Sequence, residues 1–375
     1  MENVNFRLVR LAREMRGLSQ TQAAKDARLP QALLSRIETK IDDATSEQVE
    51  GIANALRFPL EFFSEPDAPA AAPLFRKRTI RSVRKARMLQ ARINVAVLAA
   101  RRILDAGIEI DTPLSFPEPG EISGDNPASA ARILRSAWRL PNGRIDNVTR
   151  AIEAAGGIVL HVDFGTDDAS AAFISTLGDE RLWFLVNTQE KAGDRVRLSL
   201  AHELGHAVLH RYLPVQDEHR LEPEAYEFAT ALMLPPEEFD PNIDSNLTLR
   251  RARDLKRSYW ISIQAIMRAA RDRGLIDSRR YTSLCKQVSA RGWRREEPDP
   301  LPVEPPGVWA NALAVHRYRH GYDDEDLAAI ARLSVEDLAS LFPNDIPPRF
   351  RVIEGRTSTP SHSPTSTRDP GLRAV

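Results

Sequence analysis

Arg197-Leu198-Ser199-Leu200-Ala201-His202-Glu203-Leu204-Gly205-His206-Ala207-Val208-Leu209-His210 is the stretch on which the reading of this chain turns. Val196, Leu200, Leu204 and Val208 recur every fourth residue, so the segment predicts an amphipathic helix with one apolar stripe. His202 and His206 then lie one turn apart on one face, where two imidazoles can hold a single tetrahedral ion. Glu203 follows the first histidine directly and can reach, from the side, a water in the ion's open position, as a general base. Zinc suits this set, because it lowers the pKa of water and polarises a scissile carbonyl. Gly205 costs a helix about 1 kcal/mol against Ala, which points to a close helix crossing.

A catalytic zinc site takes three protein ligands and keeps one position open. A carboxylate from the next helix is the natural third donor. Leu221-Glu222-Pro223-Glu224-Ala225-Tyr226-Glu227-Phe228-Ala229-Thr230-Ala231-Leu232-Met233-Leu234-Pro235 offers Glu222 and Glu224. His210, one turn past His206, reads as a packing residue or a support to the ligands, and His219 as a loop histidine. His316 and His320 are also four apart but lack the glutamate and a third ligand, so they read as a surface pair. The period changes to two at Gly156–Val162, Ser170–Thr176 and Arg181–Asn187, which predicts three strands, the last two a hairpin around Gly178-Asp179. Their edge could take an extended peptide as one more strand.

These motifs resemble the ImmA/IrrE family of zinc metallo-endopeptidases, which pair the histidine motif with a downstream glutamate helix and a closing hydrophobic-Pro segment. The resemblance runs over about 145 to 295 and includes Arg195-Val196-Arg197, Gly274-Leu275-Ile276 and Arg291-Gly292-Trp293. It implies an α+β zincin-like (gluzincin-type) domain with a small sheet and Zn2+ held by His202, His206 and Glu222. It also implies Glu203 as catalytic base and a protein substrate. Glu224 is the alternative third ligand. Tyr226 stands where the family commonly has Asn or Asp to orient a ligand.

The first 64 residues read as five short helices. Ser19-Gln20-Thr21-Gln22 and Thr45-Ser46-Glu47-Gln48 are capping boxes, Gly17 ends the first helix, and Pro30 suits the first position of the third. Two short helices joined by a tight turn, the second presenting Gln31, Ala32, Ser35 and Arg36, form helix-turn-helix geometry. Leu18-Ser19-Gln20, Leu34-Ser35-Arg36-Ile37-Glu38 and Ile52-Ala53-Asn54-Ala55-Leu56 resemble the Cro/C1-type (XRE) helix-turn-helix family. The resemblance implies contacts to double-stranded DNA from those four residues with Gln20 and Lys40. Lys40 stands where the family usually has Gly, and Asp26 where a small or hydrophobic residue is usual.

Composition bounds the rest. The 52 basic and 52 acidic residues cancel, but Arg76, Lys77, Arg78, Arg81, Arg84, Lys85, Arg87 and Arg92 run with no acid between them. Such a run is a candidate nucleic-acid contact. The one cysteine, Cys285, excludes an intrachain disulfide and a cysteine-ligated zinc. No apolar stretch is long enough for a membrane span, and the start carries no signal-peptide core, so a cytoplasmic protein is expected.

The expected architecture is multidomain and mainly α. An all-α helix-turn-helix domain (1–64), a linker (65–75) and a basic helical connector (76–140) precede the metallopeptidase domain (141–295). A Pro-rich linker (296–308), a small helical unit (309–350) as the C-terminal extension and a disordered tail (351–375) follow. The resemblances together imply a regulatory zinc endopeptidase tethered to a DNA-binding module. It would cleave a transcriptional repressor, itself a helix-turn-helix protein, or a related regulatory protein, to control stress or mobile-element genes, and a homodimer is compatible with this. The competing expectation is a DNA-binding regulator whose zinc domain is a sensor without turnover.

Overall fold

The computed structural model describes residues 4–64, 82–118, 126–176, 179–212 and 218–346. Among them the chain is mainly helical, with sixteen α-helices and one three-stranded sheet. No helix among the described residues is long and apolar enough to cross a membrane. The linker 65–75 and the tail 351–375 lie outside the described residues.

The N-terminal lobe comprises α1 (Phe6–Met15), α2 (Gln20–Asp26), α3 (Gln31–Glu38) and α4 (Ser46–Leu56). Ser19 and Thr45 each cap a helix through the reciprocal bonds with Gln22 and Gln48 that their spacing predicts. Pro30 stands one residue before α3, not inside it: its backbone is extended, and its carbonyl accepts the first helical bonds from Leu33 and Leu34. Leu8, Val9, Ala24, Leu34, Ile37 and Ile52 close the lobe's core. Arg13 on α1 holds buried Glu38 on α3 through two bonds of 2.5 and 2.8 Å.

Past the lobe, α5 (Val83–Asp105) is the element around which much of the chain packs. Its middle, from Ile93 to Ala100, is buried on every side, with Leu89 and Leu104 buried towards its ends, and α1 lies along it. After α6 (Pro127–Ala137) and α7 (Val148–Ala154) come β1 (Gly157–Val162), β2 (Ala171–Thr176) and β3 (Asp179–Asn187). The sheet order is β1-β3-β2, with β1 parallel and β2 antiparallel to β3. The alternation of the strands sorts their side chains between two cores. Ile158, Leu160, Val162, Ile174 and Trp183 join the α5 core, while Val159, Phe173, Phe184 and Val186 join the core of the site helices.

Those site helices are α8 (Gly193–Leu209) and α9 (Glu218–Met233). α10 (Pro236–Phe239), α11 (Leu249–Tyr259), α12 (Ile263–Asp272) and α13 (Ser278–Ala290) complete that core. The Pro-rich stretch then runs pinned across the start of α8. Gly193 donates to Leu301 O, Arg197 pairs with Glu304, and buried Lys256 on α11 pairs with Glu297 and Asp194.

α14 (Gly307–Arg319), α15 (Asp324–Ala331) and α16 (Val335–Leu341) repeat the pattern of α1–α3. A constant offset of 304 positions carries Gly17 to Gly321, Ser19 to Asp323, Arg28 to Arg332, Leu34 to Leu338 and Ile37 to Leu341. Both glycines have positive φ (63° and 72°), as do both arginines (57° and 53°), and both N-caps close capping boxes. The second copy packs on α5 and is tied to the first by Arg16, which grips buried Asp337 at 2.5 and 2.6 Å.

Lys40 explains one departure in the sequence. It takes φ 58°, where glycine is unstrained and an L-residue costs roughly 1–2 kcal/mol. Lys40→Gly is expected to raise stability by about 0.5–1 kcal/mol, part of the relief being lost to greater freedom of the unfolded chain. A denaturant midpoint no higher than wild type would contradict that.

Candidate metal centre

α8 and α9 cross at Gly205. A β-carbon there would stand 3.0 Å from Ala225 O, 3.1 Å from Ala225 Cα and 3.1 Å from Phe228 Cδ1. Any side chain there would force α9 or Phe228 to give by a few tenths of an ångström, which accounts for the helix-propensity cost read from the sequence. The crossing sets Glu222, one turn before Ala225 on α9, opposite the two histidines of α8.

His202 Nε2 and His206 Nε2 are 3.2 Å apart. Glu222 brings Oε2 to 3.6 Å from the first and Oε1 to 3.5 Å from the second. One ligand atom from each of these three residues lies within 4.8 Å of the others. Zinc–nitrogen bonds of about 2.0–2.1 Å in a tetrahedron set two nitrogens roughly 3.3–3.4 Å apart, close to the 3.2 Å between the two Nε2 atoms. Two imidazoles and one carboxylate also leave a fourth position open. Glu203 is 6% exposed on the same helix.

His210 was legible as a support; its partner was not. His206 Nδ1 lies 3.0 Å from His210 Nδ1, and His210 Nε2 lies 3.0 Å from Glu224 Oε2. Burial, outweighing the bond to Glu224, lowers the His210 pKa to about 4, so the ring is neutral at pH 7. A neutral ring has one donor and one acceptor nitrogen. With Glu224 accepting from Nε2–H, His210 Nδ1 must accept from His206 Nδ1–H, which leaves His206 Nε2 with its lone pair toward Glu222 and His202. Glu224, the alternative third ligand, is thus bonded to His210, which in turn contacts His206. The spacing of 206 and 210 was the only sequence signal, since Glu224 comes from another helix.

Tyr226 takes the Arg268 guanidinium of α12 over its ring, 3.7 Å from the centroid. The side chain of His219 lies outside the described residues. His316 is not on the surface. It is fully buried, its Nε2 2.8 Å from Ile103 O on α5, while His320 is exposed. The i,i+4 spacing is the same as in α8; what differs is that α14 turns His316 into the core.

In the N-terminal lobe, Gln31, Ala32, Arg36 and Lys40 are exposed and Ser35 is half-buried. Gln20 bridges the lobe, donating to Glu38 at 2.9 Å and accepting from Gln31 at 3.1 Å. Arg36 pairs with Asp42 at 2.7 Å.

Fold and donor set together describe a metallopeptidase-like domain attached to a small helical lobe of helix-turn-helix type. Residues 161–270 match the family described as the IrrE N-terminal-like domain, and residues 9–63 match the helix-turn-helix family. The chain therefore joins an XRE-type helix-turn-helix to an IrrE/ImmA-like peptidase domain, the fusion that the motifs imply. No curated protein matches the chain.

Proposed function

We propose that this chain is a regulatory zinc endopeptidase that acts on a protein substrate, with a transcriptional repressor of helix-turn-helix type as the target. Convergence of His202, His206 and Glu222, with buried Glu203 next to His202 in the chain, carries the reading. Bound zinc would polarise the scissile carbonyl and acidify water there. Glu203 takes a proton from the attacking water and delivers it to the leaving amine nitrogen, so the base ends each cycle as it began. His210 and Glu224 keep His206 in the tautomer that offers Nε2 to a metal. Among the described residues β2 pairs only with β3, so its outer edge, beside α8, is where an extended peptide would add. The helix-turn-helix lobe would bring this site to DNA.

Metal titration separates the two glutamates. Glu222→Gln is expected to abolish tight zinc binding, whereas Glu224→Gln weakens it roughly 10–100-fold, as loss of a ligand's support does. Equal losses would remove the assignment of Glu222. Incubation of the zinc-loaded protein with candidate helix-turn-helix repressors tests the function itself. Failure to cut any of them, with zinc bound, would count against the substrate class.

A further inference from the structure

α5 starts beside the helix-turn-helix lobe, and its first turn is basic: Arg84, Lys85 and Arg87 are all exposed. A cleft of about 630 Å³ opens between that turn and α1–α3. Arg84 and Arg87 line one wall, and Gln20, Thr21, Gln31 and Thr39 line the other. Arg84 reaches close to the start of α2, its Nη2 3.6 Å from where a β-carbon on Gly17 would be.

Charge balance singles these two out. The cleft's other cations are spent, Arg10 on Glu14 at 3.0 Å and Arg13 on Glu38 at 2.5 Å. Among the described residues, neither Arg84 nor Arg87 forms an ion pair with an acid. Two uncompensated guanidiniums therefore face a polar wall that ends on the reading residues of α3.

The second copy provides an internal contrast. At the positions of Gln20, Thr21 and Gln22 it has Asp324, Glu325 and Asp326, and at those of Gln31 and Ala32 it has Val335 and Glu336. The second copy therefore carries acids where the first carries neutral residues, and offers a phosphate backbone no basic face at these positions. Only the first copy, which lies beside the basic start of α5, has a surface of the right sign.

We propose that Arg84 and Arg87 hold backbone phosphates of the DNA duplex whose major groove α3 enters, making the start of α5 part of the DNA-binding face. The proposal rests on the DNA-binding reading of the lobe. A guanidinium presents paired donors that fit phosphate, and each phosphate contact displaces condensed counterions, which makes affinity steeply salt-dependent. Nothing in the two arginines reads bases, so they grip without specifying.

The test is fluorescence anisotropy of the full chain with a mixed-sequence DNA duplex over a series of salt concentrations. R84A/R87A is expected to flatten the slope of log affinity against log salt by about 1.8, near 0.9 for each lost phosphate contact. R84K/R87K should restore most of that slope. Q31A, which removes no charge, should leave the slope alone. A double alanine variant with the wild-type slope overturns the role of α5 and leaves the lobe's DNA reading standing. A wild-type chain that binds no duplex at low salt overturns both. Circular dichroism of the variants should match wild type, because both arginines are exposed.

Discussion

Glu203→Gln should cut peptide hydrolysis by roughly 10²–10⁴-fold while the chain retains its zinc, the range that a positioned general base supplies. At the middle of that range the barrier rises by about 4 kcal/mol. Two features of the site make this expectation specific. Glu203 is not one of the three converging donors, so its amide replacement leaves the ligand set complete. It is also 6% exposed, so no bulk water stands ready to take over the proton. Gln matches Glu in shape and can accept a hydrogen bond, but it cannot hold the proton between water and leaving amine. The measurement is turnover of a repressor or of a quenched peptide, with zinc content determined on the same samples. Equal turnover by both proteins would remove Glu203 from the chemistry. A wild type that binds zinc and DNA yet cuts nothing would favour the sensor without turnover.

How far the sequence could lead depended on how local each feature is. The apolar stripe of α8 and the caps at Ser19 and Thr45 are set by residues three or four apart, and these were readable directly. Glu222 required the family resemblance, because spacing within α9 does not say which of two carboxylates faces α8. The link from His206 through His210 to Glu224 was hidden for the same reason, since it forms only once two helices cross. His316 misled because helical spacing reports which residues share a face, not whether that face meets solvent or α5. The repeat of the α1–α3 pattern in α14–α16 was not legible because it keeps caps, left-handed turns and buried positions while exchanging the polar residues on which the first was read. Likewise the segment of α5 could be read as part of a basic helical connector, but periodicity does not name its partners. It has three: the lobe, the sheet and the second copy.

Gly205→Ala is expected to weaken zinc binding by an order of magnitude or more, although residue 205 binds nothing. The added methyl meets Ala225 O at 3.0 Å and Ala225 Cα at 3.1 Å, both backbone atoms of α9, so no side-chain rotation relieves the contact. Phe228 Cδ1 at 3.1 Å belongs to a fully buried ring with little room to turn. Two opposing terms set the stability. Alanine returns about 1 kcal/mol of helix propensity to α8, while overpacking a helix crossing costs about 1–3 kcal/mol. The balance favours a modest loss in the metal-free protein. The effect on the site is one-sided, because α9 carries Glu222 one turn from Ala225. Any retreat of α9 by a few tenths of an ångström moves that carboxylate away from His202 and His206, which stay on α8. Gly205→Val adds a branch at the same point and should lose both zinc and stability. Competition titration with a zinc chelator and a denaturant midpoint without metal read the two terms separately. If Gly205→Ala binds zinc as wild type does, α8 and α9 have slack at their crossing. The close approach would then not be what positions the third ligand.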